Sequence, residues 1–394
     1  MPTRVVGTMY VYLWLHIACY RRGGVGPGAA RRESAATRAG RRAPACVDWF
    51  VTDIFIPQAK FCDVATDTFI ASVRTDGVSM PPATPGLGHR DRISLVCNRV
   101  NFDVSCNLLL MDIGTLSVVV PVYNEEDYIA GCLESLARQG DEILEIIVVD
   151  NNSTDRTPEI ARSFEQRDSR VRYLVEPRQG VVHARNAGFD IAVGEFIGRV
   201  DADSRVAPGW ARAVRSSFAS HDLDAVTGFS LFYESPFSGL QRAAVNKAEA
   251  RGDFHGIKPA HALTGSNMAI RATSWRSIRD KVSDRTDIHE DVDLSLCLVK
   301  AGMQFGTDLD MRSEISGRRG ETGPIEFLSY NKASVTTLEY HQAMTARLRL
   351  MILKSSILHA LLWPAYRMYD RQTDRLSWRK LLSGSGARTM PVDS

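Results

Sequence analysis

Between Leu116 and Ala301 the chain alternates short apolar runs with amphipathic segments, and brief polar connections separate them. The first apolar run, 116–122, is continuous rather than alternating, which is typical of a strand buried on both faces. Alternation of strands and helices indicates a largely parallel sheet covered by helices. The predicted strands are 116–122, 145–149, 171–175, 196–200, 225–229 and 267–270. The predicted fold class is therefore α/β, with a mostly parallel central sheet flanked by helices.

The helices are predicted from capping residues and from apolar periodicity. We expect Asn124 to cap a helix that runs to about Arg138, because its side chain can accept a hydrogen bond from a first-turn amide. Thr157 and Pro158 are residue types that begin helices, and Gly302 is a type that ends them. The other predicted helices are 181–192, 209–219, 238–250 and 290–301.

The chain changes character near residue 112, and this sets the predicted domain boundaries. Residues 1–112 are predicted to be a poorly ordered extension, because segment 21–45 carries seven arginines, one acid and little apolar surface. Met111 stands immediately ahead of the first strand, so it is an alternative start of the protein. Residues 113–320 are predicted to form the catalytic domain, and 321–394 a helical, basic C-terminal tail.

The C-terminal tail combines an apolar run with a regular series of arginines. Two basic residues and a histidine interrupt the run 348–363, and the cost of charge in hydrocarbon argues against a membrane-spanning helix. Arginine then recurs at every fourth position, which predicts a basic stripe on a helix: Arg367, Arg371, Arg375 and Arg379. Such a stripe is suited to an anionic membrane surface, or alternatively to pairing with Asp370 and Asp374 on a solvated helix.

Composition excludes several classes of function. The chain has 394 residues, 44% of them hydrophobic and 24% charged, as in ordinary soluble proteins. A formal net charge of +2 gives no indication of nucleic-acid binding. Seven cysteines without a Cys-x-x-Cys pair indicate neither a disulfide framework nor a zinc site.

Polar residues follow the first two predicted strands, at the edge where sheets of this kind bind ligands. Tyr123 follows the first strand and can stack on a base. Asp150 and Asn151 follow the second, where they can hydrogen-bond a base edge or a ribose. The same residue types favour turns, so a simple turn over 150–153 is the alternative.

Two acids, Asp201 and Asp203, follow the fourth predicted strand. Acids one residue apart project to the same side of an extended chain, and hard divalent cations prefer carboxylate oxygens together with substrate phosphates. An isolated pair of this kind is more often a solvated loop than a metal site. Its position after a buried strand favours the metal site here.

A second acidic pair, Glu290 and Asp291, opens the helix predicted at 290–301, and His289 precedes it. The positive field at a helix N-terminus keeps nearby carboxylates ionised. An ionised carboxylate is suited to take a proton from a hydroxyl group. The alternative is an ordinary acidic first turn, and the role of His289 is left open.

Taken in order, these motifs make residues 116–315 resemble a family 2 glycosyltransferase with the A-type glycosyltransferase fold. The matching motifs are Val-Pro-Val-Tyr-Asn-Glu-Glu, Val-Asp-Asn-Asn-Ser-Thr-Asp, Gly180 with Ala184-Arg-Asn-Ala-Gly188, Asp201-Ala-Asp203, Leu263 to Arg271, and Glu290-Asp291. The resemblance implies an inverting, metal-dependent transfer from a nucleoside-diphosphate sugar to a hydroxyl acceptor. It also implies a role in cell-envelope glycan or glycolipid synthesis.

The resemblance also implies roles for individual residues. Asp291 is implied as the general base, with Glu290 beside it. Asp203, supported by Asp201, is implied to hold Mg²⁺ or Mn²⁺. The implied nucleotide-binding residues are Pro121, Tyr123, Glu125, Asp150, Asn151, Arg185 and Asp201. The implied acceptor-side residues are Gly265, Ser266 and Asn267.

The chain departs from the family pattern at two places. Asn151 stands where the family commonly has a second acid; its amide can still accept or donate, so a UDP-sugar is favoured and guanosine or thymidine carriers stay open. Segment 372–375 resembles the Gln-x-x-Arg-Trp motif of processive members, but Leu376 replaces the Trp. Transfer of a single sugar is therefore predicted.

The expected partners are the donor and a glycan or lipid-linked acceptor, with no nucleic acid. The expected location is cytoplasmic, with peripheral contact of the tail on the cytoplasmic membrane face. The alternative function is a non-catalytic nucleotide-sugar or carbohydrate-binding protein on the same fold. Retention of Asp201, Asp203 and Asp291 favours the enzyme. A dinucleotide-dependent oxidoreductase would need a glycine-rich first turn, which Pro121–Glu126 is not.

Overall fold

A computed structural model of the protein describes residues 114–382. The predictions on residues 1–112, on Met111 as the start and on the last residues of the tail lie outside this range. The described strands are β1 (Leu116–Val122), β2 (Glu145–Asp150), β3 (Val171–Val175), β4 (Phe196–Val200), β5 (Ser204–Val206), β6 (Ala225–Tyr233), β7 (Ile257–Pro259), β8 (Asn267–Arg271), β9 (Phe305–Ser316), β10 (Tyr369–Asp370) and β11 (Arg375–Leu376).

The described α-helices are α1 (Ile129–Ala137), α2 (Thr157–Glu165), α3 (Val181–Ile191), α4 (Trp210–Ser220), α5 (Ser238–Glu249), α6 (Ala272–Ile278), α7 (Glu290–Lys300), α8 (Pro324–Tyr340), α9 (Ala346–Met368) and α10 (Trp378–Leu382). Short 3-10 turns cover Gly140–Glu142, Arg279–Lys281 and Gly317–Glu321. Within the described part of the chain, β1, β3 and β4 have the predicted bounds, and each end of α3, α4, α5 and α7 lies within one residue of its prediction. Helix α2 begins at the predicted Thr157.

A nine-stranded sheet, ordered β3-β2-β1-β4-β8-β6-β9-β5 with β7 also paired to β9, forms the centre of the described region. Strands β1 to β4 are parallel to one another, whereas β8 runs antiparallel to both β4 and β6. Strand β9 is parallel to β6, and β5 and β7 are antiparallel to β9. The α/β class with a mostly parallel sheet and flanking helices is therefore confirmed.

Strand β1 is buried along its whole length, and its side chains alternate between two hydrophobic layers. Val118 and Val120 belong to one layer, which also contains Trp210 of α4 and residues of α1 and α2. Val119 belongs to the other layer, which contains Trp275 of α6 and residues of α3 and α7. Helices thus cover both faces of β1, as its continuous apolar sequence predicts.

The first helix begins later than predicted. Asn124 has a φ of 51°, in the left-handed region, and α1 starts only at Ile129. Oδ1 of the Asn124 side chain accepts a hydrogen bond from the Thr154 backbone amide at 2.8 Å. The Asn124 backbone amide donates to Ser153 Oγ at 3.0 Å. Asn124 therefore ties the end of β1 to the loop after β2 instead of capping a helix.

Strand β9 has no counterpart among the predicted strands, although it is a central strand of the second half of the sheet. It has 12 residues and includes Asp308, Asp310 and Arg312. These charges hide the apolar pattern on which a strand prediction depends. Its pairing with β6 contains a register shift after Gly228, where the side chain of Asn267 and the Met311 carbonyl leave no room for a Cβ.

The described part of the tail does not form the predicted basic helix. Helix α9 ends at Met368, and Arg371 lies in the turn of a small hairpin whose second strand, β11, contains Arg375. Only Arg367 and Arg379 are helical, and they lie on different helices, so the predicted stripe is wrong. By length and composition alone, the 23-residue α9 would be long and apolar enough to cross a membrane, which is weak evidence.

Candidate functional site

The carboxyl ends of β1, β2 and β4 lie at one edge of the sheet, because these strands are parallel and adjacent. Pairing of β1 with β4 stops at Val119, whereas its pairing with β2 continues to Val122. Pro121 lies beyond the shorter ladder, where its missing N–H costs no hydrogen bond to β4. Tyr123, the next residue after β1, is partly exposed at this edge.

Asp150, at the end of β2, is buried and already hydrogen-bonded. Its carboxylate accepts from the Tyr173 hydroxyl at 2.8 Å and from the Ser153 amide at 3.2 Å. Burial and the bond to Asp150 raise the pKa of Tyr173 to about 12, so this hydroxyl remains a donor at neutral pH. The Asp150 carboxylate is therefore held in one orientation at the sheet edge.

Asn151 uses its amide for the protein backbone. Its Nδ2 donates to the carbonyls of Glu176 at 2.9 Å and Arg178 at 2.7 Å, and its Oδ1 accepts from the Gly180 amide at 2.7 Å. An aspartate here would lack both donated hydrogen bonds, which accounts for the amide at this position. Asn151 is buried and secures the loop ahead of α3, and its contact with a base edge stays a prediction.

One buried arginine, Arg199 on β4, connects three of the predicted motifs. Its Nη1 lies 2.7 Å from Oε1 of Glu290, and its Nη2 lies 3.1 Å from Oδ1 of Asp201. A Cβ at Gly265 would lie 2.7 Å from the Arg199 guanidinium, so only glycine allows this approach. The acids after β4, the loop before β8 and the first turn of α7 therefore meet around a single guanidinium.

The charges of this group set its protonation states. Burial raises the pKa of Glu290, but the Arg199 and Arg185 guanidiniums outweigh it and lower that pKa to about 2. Burial lowers the pKa of Arg199, but Glu290, Asp201 and Asp291 together raise it above the ordinary value. Glu290 and Arg199 are therefore both ionised at neutral pH.

Asp291 occupies the first turn of α7 and is partly exposed. Its Oδ2 accepts from the Gly265 amide at 3.1 Å, and its Oδ1 accepts from the Val292 amide at 2.8 Å. Backbone amides thus hold both oxygens of the Asp291 carboxylate. The arrangement holds an oriented carboxylate that can accept a proton.

Arg185 lies deeper than the predicted nucleotide contact requires. It is fully buried, and it donates to Oδ1 of Asn186 at 2.7 Å and to the Glu290 carbonyl at 3.4 Å. Burial is the main cause that lowers the pKa of Arg185 to about 10. Arg185 thus binds the first residue of α7 from the protein interior.

The predicted acceptor-side residues and His289 are all buried. Asn267 is fully buried; it donates to the Met311 carbonyl at 3.0 Å and accepts from the Trp210 indole at 2.8 Å. Gly265 and Ser266, the other predicted acceptor-side residues, are buried as well. His289 packs edge-on against Tyr330, and burial lowers the pKa of its imidazole, so it is neutral at physiological pH.

Arg318, on the 3-10 turn after β9, is a site residue that the sequence motifs do not reveal. Its Nη2 lies 2.5 Å from Oε2 of Glu125 and 2.9 Å from Oδ2 of Asp203, and its Nε donates to the same Asp203 oxygen at 3.1 Å. The guanidinium also lies 4.1 Å from the centre of the Tyr128 ring. Arg318 is 115 positions from Asp203 in sequence and belongs to no recognised motif, so only the fold identifies it.

The predicted metal ligands fit a divalent cation to different degrees. The Asp201 side chain is 26% exposed, and among the described residues its Oδ2 has no hydrogen-bond donor. The Asp203 side chain is 3% exposed, and its Oδ2 is bound to Arg318. Both offer the carboxylate oxygens that hard cations prefer, and Oδ2 of Asp203 becomes available to a cation once Arg318 moves away.

A second group of potential metal ligands is formed by two residues of α7 and by His341, which follows α8. The ligand atoms of Asp293, Cys297 and His341 are within 4.8 Å of one another, and all three residues are buried. Nε2 of His341 lies 2.7 Å from Oδ1 of Asp293, whose Oδ2 accepts from the Ser283 amide at 3.0 Å. Hydrogen bonds already account for the contacts of Asp293, so this group joins α7 to the end of α8.

Comparison with known proteins gives a family match and several relatives. Residues 117–279 match the model of glycosyl transferase family 2. Glycosyltransferase EpsJ of Bacillus subtilis (strain 168), itself uncharacterized, is 37% identical over 114 residues, which cover 29% of this chain and 33% of that protein. Glycosyltransferase GlyG of Streptococcus pneumoniae serotype 4 is 39% identical over 114 residues, covering 29% of this chain and 38% of GlyG.

A third relative, glycosyltransferase AglE of Haloferax volcanii, is 34% identical over 157 residues, covering 39% of this chain and 49% of AglE. The chain thus spans between a third and a half of the length of these relatives. Among solved structures, mannosyltransferase PcManGT from Pyrobaculum calidifontis, in complex with GDP-Man and Mn²⁺, is 21% identical and covers 71% of this chain and 77% of that one. Its TM-score of 0.44 is too low to bear on the site.

The family match covers the elements from β1 to α6. It therefore includes Tyr123, Asp150, Asp201, Asp203 and the loop at Gly265. Glu290 and Asp291 lie beyond it, yet Arg199 and the Gly265 amide bind them to residues inside it. Residues 117–279 thus form a glycosyl transferase family 2 domain within the chain.

Proposed function

We propose that the protein is an inverting glycosyltransferase that moves one sugar from a nucleoside-diphosphate sugar to a hydroxyl acceptor. The observation that supports this most is the position of Arg199, which joins Asp201 to Glu290, next to Asp291. Arg199 thereby connects Asp201, one of the two proposed metal-binding acids, with the turn of α7 that carries the proposed base. Asp291 is further tied to this group through its hydrogen bond from Gly265.

In this proposal the reaction is a single displacement at the anomeric carbon. Asp291 accepts the acceptor hydroxyl proton as the new glycosidic bond forms, and the bond to the diphosphate breaks on the opposite face of the sugar. Asp201 and Asp203 would hold Mg²⁺ or Mn²⁺, which when bound neutralises charge on the diphosphate leaving group. One displacement inverts the anomeric configuration.

For the donor, we propose a UDP-sugar bound with its base against Tyr123 and its ribose towards Asp150. Tyr123 is the partly exposed aromatic residue at the end of β1, and Asp150 is the oriented carboxylate beside it. Since the Asn151 amide is engaged with the backbone, the base contacts rest on fewer side chains than the family pattern implies. Guanosine and thymidine carriers are therefore included in the test below.

The test begins with thermal shift of the full-length protein against UDP-, GDP- and dTDP-sugars, each with and without Mn²⁺. We expect one nucleotide to stabilise the protein in the presence of metal, and slow metal-dependent hydrolysis of that donor when no acceptor is present. With an acceptor, NMR of the product should show an inverted anomeric centre. A retained configuration would refute Asp291 as base, and binding without hydrolysis or transfer would favour a non-catalytic sugar-nucleotide binding protein.

We further propose that the protein acts at the cytoplasmic face of a membrane, on a glycan or lipid-linked acceptor of the cell envelope. Helix α9 carries an exposed apolar stripe, defined as Leu350, Leu353, Ile357 and Leu361, with exposed fractions of 50%, 54%, 52% and 72%. Arg347 and Lys354 are exposed on the same helix, each three or four residues from a member of the stripe and thus next to it on the helix surface. Apolar residues beside basic ones suit the surface of an anionic bilayer.

Flotation with lipid vesicles tests this contact. We expect wild type to float with vesicles containing an anionic lipid, more weakly at high salt, and the Leu353→Asp/Leu361→Asp variant to stay in solution. Leu240, on α5, is 61% exposed and lies outside the stripe, so Leu240→Asp is the matched control. Equal flotation of the stripe variant and the control would reject α9 as the membrane contact.

A further inference from the structure

We propose that the Arg318 guanidinium and a divalent cation compete for the Asp203 carboxylate, so that metal binding releases Arg318 from Asp203. The inference rests on the proposed function, because it concerns the metal site of that reaction. It assigns a role to a residue outside the matched family domain, which ends at residue 279. Arg318 would then set the metal affinity of the site.

The first argument is the geometry at Asp203. Both Nε and Nη2 of Arg318 lie within hydrogen-bond distance of the same oxygen, Oδ2, at 3.1 Å and 2.9 Å. Side chains of both residues are less than a tenth exposed, so the contact is shielded from water. A cation that binds Oδ2 of Asp203 therefore has to take the position that Arg318 occupies.

The second argument is charge. A Mg²⁺-sized cation binds carboxylate oxygen at about 2.1 Å, so on Oδ2 it would come close to the guanidinium nitrogens. Like charges at such a separation, away from bulk water, repel strongly. Asp203 and Glu125 carry two negative charges towards one guanidinium, and the same carboxylates are the natural ligands for an incoming cation.

The third argument is that Arg318 has other binding partners besides Asp203. Its Nη2 is 2.5 Å from Glu125, and its guanidinium faces the Tyr128 ring, so these contacts can persist after Asp203 is lost. Helix α9 binds the turn that carries Arg318, because the Trp363 indole donates to the Glu321 carbonyl at 3.1 Å. The contacts with Glu125 and Tyr128 can therefore retain the Arg318 side chain after it leaves Asp203.

The experiment measures Mn²⁺ binding alone, by the EPR signal of free Mn²⁺, with the full-length protein and without any sugar nucleotide. We expect Arg318→Gln to bind Mn²⁺ about tenfold more tightly than wild type, because the competing cation is gone. Arg215 pairs with Glu142 at 2.5 Å and lies outside the site, so Arg215→Gln is the control and should bind as wild type does. Mn²⁺ should also raise the Tm of Arg318→Gln more than that of wild type.

A second variant covers the case in which Arg318→Gln folds poorly because Glu125 and Asp203 then repel each other. Glu125→Gln/Arg318→Gln removes one of the two carboxylates, and it should still bind Mn²⁺ more tightly than Glu125→Gln alone. Equal or weaker Mn²⁺ binding on removal of Arg318, in either background, overturns the competition.

Asp203→Asn separates this inference from the proposed function. We expect it to weaken Mn²⁺ binding in both the wild-type and the Arg318→Gln backgrounds. If Asp203→Asn binds Mn²⁺ as tightly as wild type, the proposed metal site itself is wrong, and the competition falls with it. If only the effect of Arg318 is missing, the metal site stands and the competition alone is rejected.

Discussion

Replacing Asp291 with Asn is expected to lower the rate of sugar transfer by about 10²–10⁴-fold, the usual contribution of a general base. Asn keeps the size of the side chain, and its carbonyl oxygen can still accept from the Gly265 amide, which lies 3.1 Å from Oδ2 in the native protein. The change removes the ability to take a proton and leaves the nucleotide side of the site intact. The loss should therefore appear in kcat, while the Kd for the donor stays close to wild type.

The control for this variant is Asp287→Asn, in the loop just ahead of α7. Asp287 pairs with Arg285 at 2.5 Å, and its side chain is 57% exposed, so it lies outside the buried charge group. Its transfer rate should match that of wild type. An Asp291→Asn protein that transfers sugar at the wild-type rate would remove Asp291 from the mechanism. A variant that loses donor binding as well would indicate a structural role instead.

Replacing Arg199 with Met should lower the free energy of unfolding by about 3–5 kcal/mol, the range observed when one partner of a buried ion pair is removed. Glu290 would be left ionised in the interior without the guanidinium 2.7 Å away, and Asp201 would lose its partner at 3.1 Å. Transfer activity should be lost too, because the same contacts align the first turn of α7 with the acids after β4. Urea unfolding followed by circular dichroism gives the first quantity.

Two comparisons show whether the loss comes from buried charge. Arg242→Met breaks an ion pair with Glu314 whose side chains are 55% and 34% exposed, and pairs of this kind contribute about 0–1 kcal/mol. Glu290→Gln/Arg199→Met removes the stranded charge and should recover part of the stability. If Arg199→Met is as stable as Arg242→Met, the group around Arg199 does not hold these elements together.

Most strands and helices of the matched domain follow from local pattern, although β5, β7 and α6 were not predicted. A short continuous apolar run such as 116–122 is typical of a strand buried on both faces, and the structure buries all seven of its residues. Strand β9 shows the limit, because charges such as Asp308 and Arg312 interrupt its apolar pattern. Its place beside β6 depends on residues some 80 positions earlier in the chain.

The roles of polar residues were harder to predict than their positions. Asn124, Asn151 and Asn267 all lie at the expected strand ends, yet their amides serve backbone groups of other segments. An asparagine suits both a ligand and a carbonyl, so its residue type does not separate the two. Arg185 is similar, since its burial beneath α7 depends on the packing of α3, α6 and α7.

By itself, the sequence determined the α/β class, most strands and helices of the matched domain, and the presence of acids after β4 and at the start of α7, because these depend on spacing between neighbouring residues. Only the tertiary structure decided which of these side chains remain available to a ligand. That choice depends on partners supplied from distant segments, such as Arg199 for Glu290 and Arg318 for Asp203. Burial makes an unpaired charge costly, so the partner that folding supplies determines what each acid can do.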